Sequence, residues 1–163
     1  MKYVVRVLAT FVLAALVGFA LFLLAFRSRN PAIRNRMRQM NARMNEQMRE
    51  DGDFKNLGQP GGPASIVHHV GRTSGEAYET PVQVIAVDDT FLIPLAYGDT
   101  ADWVKNVQAA GTAELLTEGE VVITEQPEIV SADWALPLIP RKHHSMTKVL
   151  GIDEFMRLRR AAS

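Results

Sequence analysis

The chain has no cysteine, and its 163 residues carry no excess of charge of either sign. The absence of cysteine excludes disulfide scaffolds, thiolate metal sites and cysteine-based catalysis. The 18 basic residues balance the 18 acidic ones, so the basic excess typical of a general nucleic-acid binder is missing. We therefore predict no nucleic-acid partner.

A long uncharged stretch occupies residues 7–26, "VLATFVLAALVGFALFLLAF". As a helix rising about 1.5 Å per residue, it would reach about 30 Å, the thickness of a bilayer's hydrocarbon core. A cleaved signal peptide would end in small residues, whereas Arg27 and Arg29 follow this stretch at once. A buried helix of this length would be unusual in so small a domain. We therefore predict a transmembrane anchor over residues 1–30.

The flanking charges predict the orientation of this anchor. Lys2 and Arg6 precede it, and a run of arginines without any acid follows it, namely Arg27, Arg29, Arg34, Arg36, Arg38 and Arg43. Because positively charged flanks stay in the cytoplasm, we predict a single-pass protein of the cell (inner) membrane with a cytoplasmic C-terminal domain. Membrane lipid is then a partner, through residues 7–26 and the arginines at 27–43.

Residues 31–63 are predicted to form an amphipathic juxtamembrane helix and a linker. Asn30 is suited to cap the helix and Pro31 to open it. Apolar side chains recur at helical spacing on one side, which we call the methionine face: Ile33, Met37, Met40, Met44 and Met48. This face either lies on anionic lipid or flanks the entrance of an apolar substrate, or it packs on the domain. The packing interpretation is favoured because methionine commonly fills gaps in cores. The Gly- and Pro-rich residues 51–63 form the linker.

Residues 64–163 are predicted to form a mainly β (α+β) domain. Strands are indicated at 64–70, 77–87, 90–96, 112–117, 120–130 and 153–160. A helix capped by Asp99 or Thr100 and ended by Gly111 interrupts them. Pro137 and Pro140 divide residues 131–150 into two short helical pieces. Six strands with one inserted helix suggest a small closed or partly closed barrel.

The stretch "GRTSGE" lies between two predicted strands and forms either a plain turn or an anion-binding loop. As a turn, both glycines would take positive φ. As a loop, Arg72, Thr73, Ser74 and the backbone N–H groups would converge on a phosphate. Pro81 marks an edge or bulge, since proline cannot donate to a ladder. His68 and His69 point to opposite faces of a strand, so no metal site is predicted.

The segments "HHVGRTSGEAYETPV" and "LAYGDTADWVKNVQAAGTAEL" resemble the deazaflavin-dependent nitroreductase family. The likeness runs from about residue 65 to about residue 130, and the "AYGDTADWV" form looks most like the membrane-associated branch. It implies a six-stranded split β-barrel and the cofactor F420, a deazaflavin with a phosphate and an oligoglutamate tail. FMN is the alternative cofactor, with haem as a further one.

The resemblance also implies the cofactor-binding residues. Residues 71–75 would surround the phosphate with Arg72 as the cation, and other residues would line the ring. The whole set is Gly71, Arg72, Thr73, Ser74, Gly75, Tyr78, Thr80, Pro81, Val82, Ala96, Tyr97, Gly98, Trp103 and Asn106. Thr73 and Tyr78 stand where many members carry basic residues. The C-terminal tyrosines that surround substrate in some members are also absent, and His143 and His144 lie in that region.

The implied activity is hydride transfer from reduced F420 to an electron-poor acceptor. With the anchor, the predicted function is a membrane-anchored F420H2-dependent reductase of a lipophilic quinone, enone, nitro compound or unsaturated lipid. Candidate proton donors are Tyr97, His143 and His144. The alternative is a non-catalytic split-barrel cofactor carrier, or an accessory subunit with a partner in a membrane complex.

Overall fold

A computed structural model of the chain describes residues 2–162, and it describes side chains from residue 10 onward. Lys2, Arg6 and the first side chains of the predicted span 7–26 lie outside the described side chains, and Met1 and Ser163 lie outside the described residues. The helices are α1 (Lys2–Arg27), α2 (Pro31–Glu50), α3 (Asp102–Ala110), α4 (Ala132–Ala135) and α5 (Arg141–Leu150), with a 3-10 turn at Asp53–Asn56. The strands are β1 (Ser65–Val70), β2 (Ala77–Val82), β3 (Ile85–Val87), β4 (Thr90–Pro94), β5 (Thr112–Thr117), β6 (Glu120–Ser131) and β7 (Glu154–Arg160).

The fold is α+β, with a seven-stranded antiparallel sheet that curls into a half-barrel. The strand order is β2-β1-β5-β6-β7-β4-β3. The predicted number of six strands is wrong, because the predicted strand 77–87 is divided. Its first half pairs with β1 and its second half pairs with β4, at the opposite edge of the sheet. One straight strand cannot pair at both edges, so the chain leaves the sheet at Gln83 and Val84.

Several local predictions are confirmed. The side chain of Asn30 accepts a hydrogen bond from the Ala32 N–H, with Pro31 at the helix start. Pro81 lies on an edge strand, since β2 is terminal in the sheet. The region 131–150 contains two helices, α4 and α5. The predicted caps of α3 are wrong, because its N-cap is Ala101, which has no side-chain hydrogen bond to the helix. Gly111 ends α3 as predicted, with a φ of 73°.

The core fills the inside of the curled sheet. Val67 of β1, Leu115 of β5 and Leu158 of β7 are fully buried there, and Val104 and Val107 of α3 pack against them. A second cluster forms where Phe155 and Leu92 meet the helices that precede β7. Helix α3 therefore closes one end of the half-barrel by inserting an apolar face, which fixes the position of its first turn.

Helix α2 packs on the domain with a mixed face. The half-buried side chains along it are Met37 and Met48 of the methionine face, as the packing interpretation predicts, and a polar strip, namely Arg34, Arg38, Asn41 and Asn45. Met40 and Met44 are 58% and 54% exposed, so the favoured interpretation that the methionine face packs on the domain is wrong for these two. The reason is that the domain surface under α2 is polar: the Thr100 hydroxyl and the Glu79 carboxylate accept hydrogen bonds from Arg38 and Arg49 respectively.

Helix α1 ends against the domain. Its segment Thr10–Arg27 has a mean hydropathy of 2.2, is long and apolar enough to cross a bilayer, and is not buried in the protein. At its last turn the ring of Phe26 lies 5.7 Å from the ring of Tyr97. The side chain of Arg27 packs closely on Gly151 at the end of α5. The apolar helix therefore leaves the domain beside Tyr97.

Adjacent valines on β6 provide a test of the register. Val122 is 2% exposed and Val121 is 55% exposed. We expect Val122→Ala to lower the free energy of unfolding by about 2 kcal/mol, since it removes buried methyl groups and leaves a cavity. Val121→Ala should change it by less than about 0.5 kcal/mol. Urea unfolding of the full chain in detergent, followed by tryptophan fluorescence, measures both. Equal losses would contradict the register, because a shift of one residue exchanges the two faces.

Candidate functional site

A cavity of about 890 Å³ lies between β2, the segment after β4, α3, α5 and the polar strip of α2. This volume is within the range of ordinary ligand and cofactor sites, about 300–1,000 Å³. All the site residues named from the sequence line it except Gly75 and His144. Those that do are Gly71, Arg72, Thr73, Ser74, Tyr78, Thr80, Pro81, Val82, Ala96, Tyr97, Gly98, Trp103, Asn106 and His143.

Part of the cavity wall is apolar and comes from two segments, and we call this part the apolar slot. Pro81 and Val82 of β2 form one side, and Leu95 and Ala96 after β4 form another. Because β2 is an edge strand, its backbone groups that do not pair with β1 are available to a ligand. The Glu79 carbonyl of this strand already accepts from Arg49, and Pro81 has no N–H. A slot with apolar walls beside the remaining backbone groups suits a flat ring with polar edges.

The loop 71–75 is a closed turn at one end of this slot. The Gly71 N–H donates to the Glu76 carbonyl and the Gly75 N–H to the Gly71 carbonyl, both at 2.8 Å. The prediction that both glycines take positive φ holds only for Gly75, at 72°. Gly71 is required for another reason, since a Cβ there would clash with the Ser74 hydroxyl and the Tyr78 ring. Tyr78 is therefore held directly over the turn.

Arg72 extends from this loop to the first turns of α3. Its guanidinium donates to Asn106 Oδ1 at 2.8 Å and to Asp102 Oδ1 at 3.2 Å. The side chain of Asp102 is 86% exposed, so this ion pair is solvated and contributes little to stability. An anionic ligand in the cavity can therefore replace Asp102 at a small cost.

Asn106 connects Arg72 to His69 through its buried amide. Its Oδ1 accepts from both the backbone N–H and the guanidinium of Arg72, at 3.2 and 2.8 Å. These two donors set the orientation of the amide, so its NH2 faces His69 Nδ1 at 3.2 Å. His69 Nδ1 is then the acceptor, and Nε2 carries the proton that is donated to Thr80 Oγ1 at 3.0 Å. The Thr80 hydroxyl keeps its own proton to donate, and Thr80 lines the cavity.

His69 is held neutral in this arrangement. Burial lowers its pKa from the ordinary value of 6.5, and the charge of His68 lowers the pKa further. The ring of Tyr78 stacks on it, with centroids 5.7 Å apart. His69 was not among the residues named for the site. The signal that could have identified it is strand alternation, since it follows His68 and its side chain points to the opposite face of β1.

Of the three candidate proton donors, two line the cavity and one does not. Tyr97 lines the cavity, its hydroxyl donates to Asn41 Oδ1 at 3.4 Å, and burial raises its pKa. His143 also lines the cavity, and burial lowers its pKa, followed by the charges of Lys142 and His144. His144 does not reach the cavity, because its Nε2 donates to the Ile139 carbonyl at 3.0 Å. Within residues 10–162 no cluster of three His, Asp or Glu side chains could hold a metal ion.

Two helices contribute cavity residues that sequence reasoning did not name. Arg38, Asn41 and Asn45 come from the polar strip of α2, and Met146 and Leu150 come from α5. The polar strip repeats at steps of three and four residues, as the methionine face does, so the periodicity was visible in the sequence. What it could not indicate is which of the two faces packs on the domain.

No known family model matches this sequence, and no curated protein matches it. Several solved structures are similar in fold. An F420-H2 dependent reductase (FDR-A) is 13% identical over 60% of this chain and 94% of its own, with a TM-score of 0.42. An F420 reductase is 9% identical over 67% and 93%, with a TM-score of 0.45. A conserved hypothetical protein from Mycobacterium tuberculosis is 14% identical over 69% and 79%, with a TM-score of 0.44. Likeness at this level does not extend to activity.

The neutral state of His69 makes the stability of the domain depend on pH. The folded protein binds this proton less readily than the unfolded chain, because the pKa in the fold is below 6.5. The free energy of unfolding should therefore fall as the pH drops below 6.5 towards the folded pKa. In His69→Gln, the part of this fall in the free energy of unfolding that is due to His69 should be absent. His68→Gln, a change on the other face of β1, should keep most of it. Urea unfolding between pH 7.5 and about 5 checks this, and equal pH profiles in all three proteins would contradict it.

Proposed function

We propose that this protein is a membrane-anchored F420H2-dependent reductase that transfers a hydride from reduced deazaflavin to a lipophilic acceptor. The observation that carries the proposal is that residues of both segments that resemble the family, "HHVGRTSGEAYETPV" and "LAYGDTADWVKNVQAAGTAEL", line one cavity. The loop 71–75 and the Thr80-Pro81 pair line one side, and Trp103 and Asn106 of α3 line another. Arg72 and Asn106 are 34 positions apart in the chain, and the fold brings them to one space.

The cavity fits a deazaflavin with a phosphate-bearing tail. Its apolar slot between β2 and the segment after β4 would hold the ring, and backbone groups of β2 would orient the ring edge. Arg72 at the loop would hold the phosphate by charge-assisted hydrogen bonds. FMN, which also joins a flat ring to a phosphate, is the alternative ligand, and haem is the third. A titration with all three distinguishes them.

The cofactor supplies the hydride, and the protein supplies orientation, a dry pocket and a proton. The Tyr97 hydroxyl lies in the cavity wall and stays protonated because burial raises its pKa. It is therefore suited to hold a proton beside a reduced acceptor. His143 lies in the same wall and is the second candidate. The network of Asn106, His69 and Thr80 presents a hydroxyl whose acceptor side is already occupied, so Thr80 is oriented to donate.

Several features support a lipophilic acceptor at a membrane. The apolar helix α1 ends at Tyr97, which lines the cavity. Met40 and Met44 of α2 face outwards while its polar strip faces the cavity. The protein would be a single-pass protein of the cell membrane with its C-terminal domain cytoplasmic, and arginines 27–43 would contact lipid phosphates. An acceptor dissolved in the bilayer would then have a short path to the cavity.

Binding of F420 tests the cofactor part of the proposal. We expect Arg72→Ala to raise the dissociation constant about ten- to hundredfold, the effect of losing a charge-assisted hydrogen bond. Asp102→Asn removes the competing carboxylate and should leave binding unchanged or tighter. Fluorescence titration of the full chain in detergent measures both. An unchanged constant in Arg72→Ala would mean that the loop is only a turn, and binding without turnover would favour the non-catalytic carrier or accessory subunit.

The acceptor part is tested by comparing a long-tailed quinone with its tail-less analogue. In vesicles with reduced F420, we expect a higher kcat/KM for the long-tailed quinone, because it concentrates beside the cavity. The double variant Met40→Gln with Met44→Gln should lower the ratio of the two kcat/KM values, since both side chains are exposed. Met40→Leu with Met44→Leu is the matched control and should retain it. Equal kcat/KM for the two quinones in the wild type would overturn the lipophilic acceptor and leave the anchor as localisation.

A further inference from the structure

Arg38 of α2 carries a charge that no carboxylate in the described part of the chain balances. Its guanidinium donates to the Thr100 hydroxyl at 3.0 Å and to Asn35 Oδ1 at 2.5 Å, and both acceptors are neutral. Arg29, Arg49, Arg72, Arg157 and Arg160 each contact a carboxylate, whereas other described arginines such as Arg36 and Arg43 do not but lie away from the cavity. Arg38 also lines the cavity in which a ligand would bind.

The acidic groups of the cavity wall do not compensate this charge. Glu79 is paired with Arg49 at 2.7 Å, and His68 lies 3.6 Å from its other oxygen. Asp102 is paired with Arg72. Neither of these lining carboxylates contacts Arg38, so an anion in the cavity could bind this guanidinium without displacing an ion pair.

Arg38 and Arg72 donate hydrogen bonds to the same short segment, residues 100–102. Arg38 donates to Thr100, and Arg72 donates to Asp102, which opens α3. The Cα atoms of residues two positions apart in a chain are at most about 7 Å from each other. The two guanidinium groups, one from the loop after β1 and the other from α2, therefore bond to neighbouring points of one segment, and both residues line the cavity.

We propose that Arg38 is the second cation of a phosphate-binding site that it forms together with Arg72. This inference rests on the proposed function for the identity of the cofactor, and the chemistry it needs is a phosphate ester attached to a flat ring. Arg72 alone is already engaged by Asp102, so a second guanidinium is what gives the anion a net attraction. Because α2, the juxtamembrane helix, supplies one of the two cations, the site is complete only when α2 is packed on the domain.

Paired ligands that differ by a phosphate test this assignment. One pair is F420 and its ring-and-ribityl fragment without phosphate or tail, and the other is FMN and riboflavin. Arg38→Gln should raise the dissociation constant of F420 about tenfold and leave that of the fragment unchanged. Arg36→Gln, an exposed arginine of the same helix that does not line the cavity, is the matched control and should change neither. Titrations use the full chain in uncharged detergent, with circular dichroism to check folding.

The outcomes separate this inference from the proposed function. Equal effects of Arg38→Gln and Arg36→Gln, or equal weakening of F420 and its fragment, would overturn the role of Arg38 while the reductase proposal stands. If the wild type does not bind F420, the proposed cofactor is wrong. The effect of Arg38→Gln on the dissociation constants of FMN and riboflavin then tests the role of Arg38 alone. Failure of the wild type to bind any of the four ligands overturns both. If Arg38→Gln leaves F420 binding unchanged but weakens binding of the protein to anionic vesicles, Arg38 binds lipid headgroups, which also overturns the assignment.

Discussion

The buried side-chain amide of Asn106 is the interaction on which the site depends. Its oxygen accepts two hydrogen bonds from Arg72, and its NH2 group donates to His69. One side chain of α3 therefore fixes the loop after β1, the side chain of a neighbouring strand residue and the helix itself relative to one another. Because a buried amide with unmade hydrogen bonds costs free energy, these parts move together or not at all.

The cavity exists because two consecutive strands separate. β2 pairs with β1 and β3 pairs with β4, so the residues between them cross the open side of the half-barrel. The apolar slot lies where this crossing faces the segment that follows β4. A sheet in which residues 77–87 formed one continuous strand would have no such space. The division of residues 77–87 into β2 and β3 therefore gives the sheet its seventh strand and also opens the space for the site.

Helix α2 covers the cavity with a mixed face. Arg38 and Asn41 bond from it to Thr100 and Tyr97, and Met37 and Met48 are half-buried on the same side of the helix. Met40 and Met44 are exposed. The helix therefore contributes polar groups to the cavity wall while it follows an apolar helix long enough to cross a bilayer, so it connects the anchor to the site.

The sequence by itself determined the local elements of this protein. Asn30 as a cap, Gly111 as a helix end and Pro81 on an edge follow from side-chain and backbone chemistry within a few residues. It also indicated a large share of the cavity residues, although mainly through a resemblance to a family and not through spacing. The tertiary structure alone decided which side of α2 is covered, that Arg72 bonds to Asn106, and that His69 joins the network. These contacts depend on how distant segments meet when the sheet curls, and no local pattern carries that information.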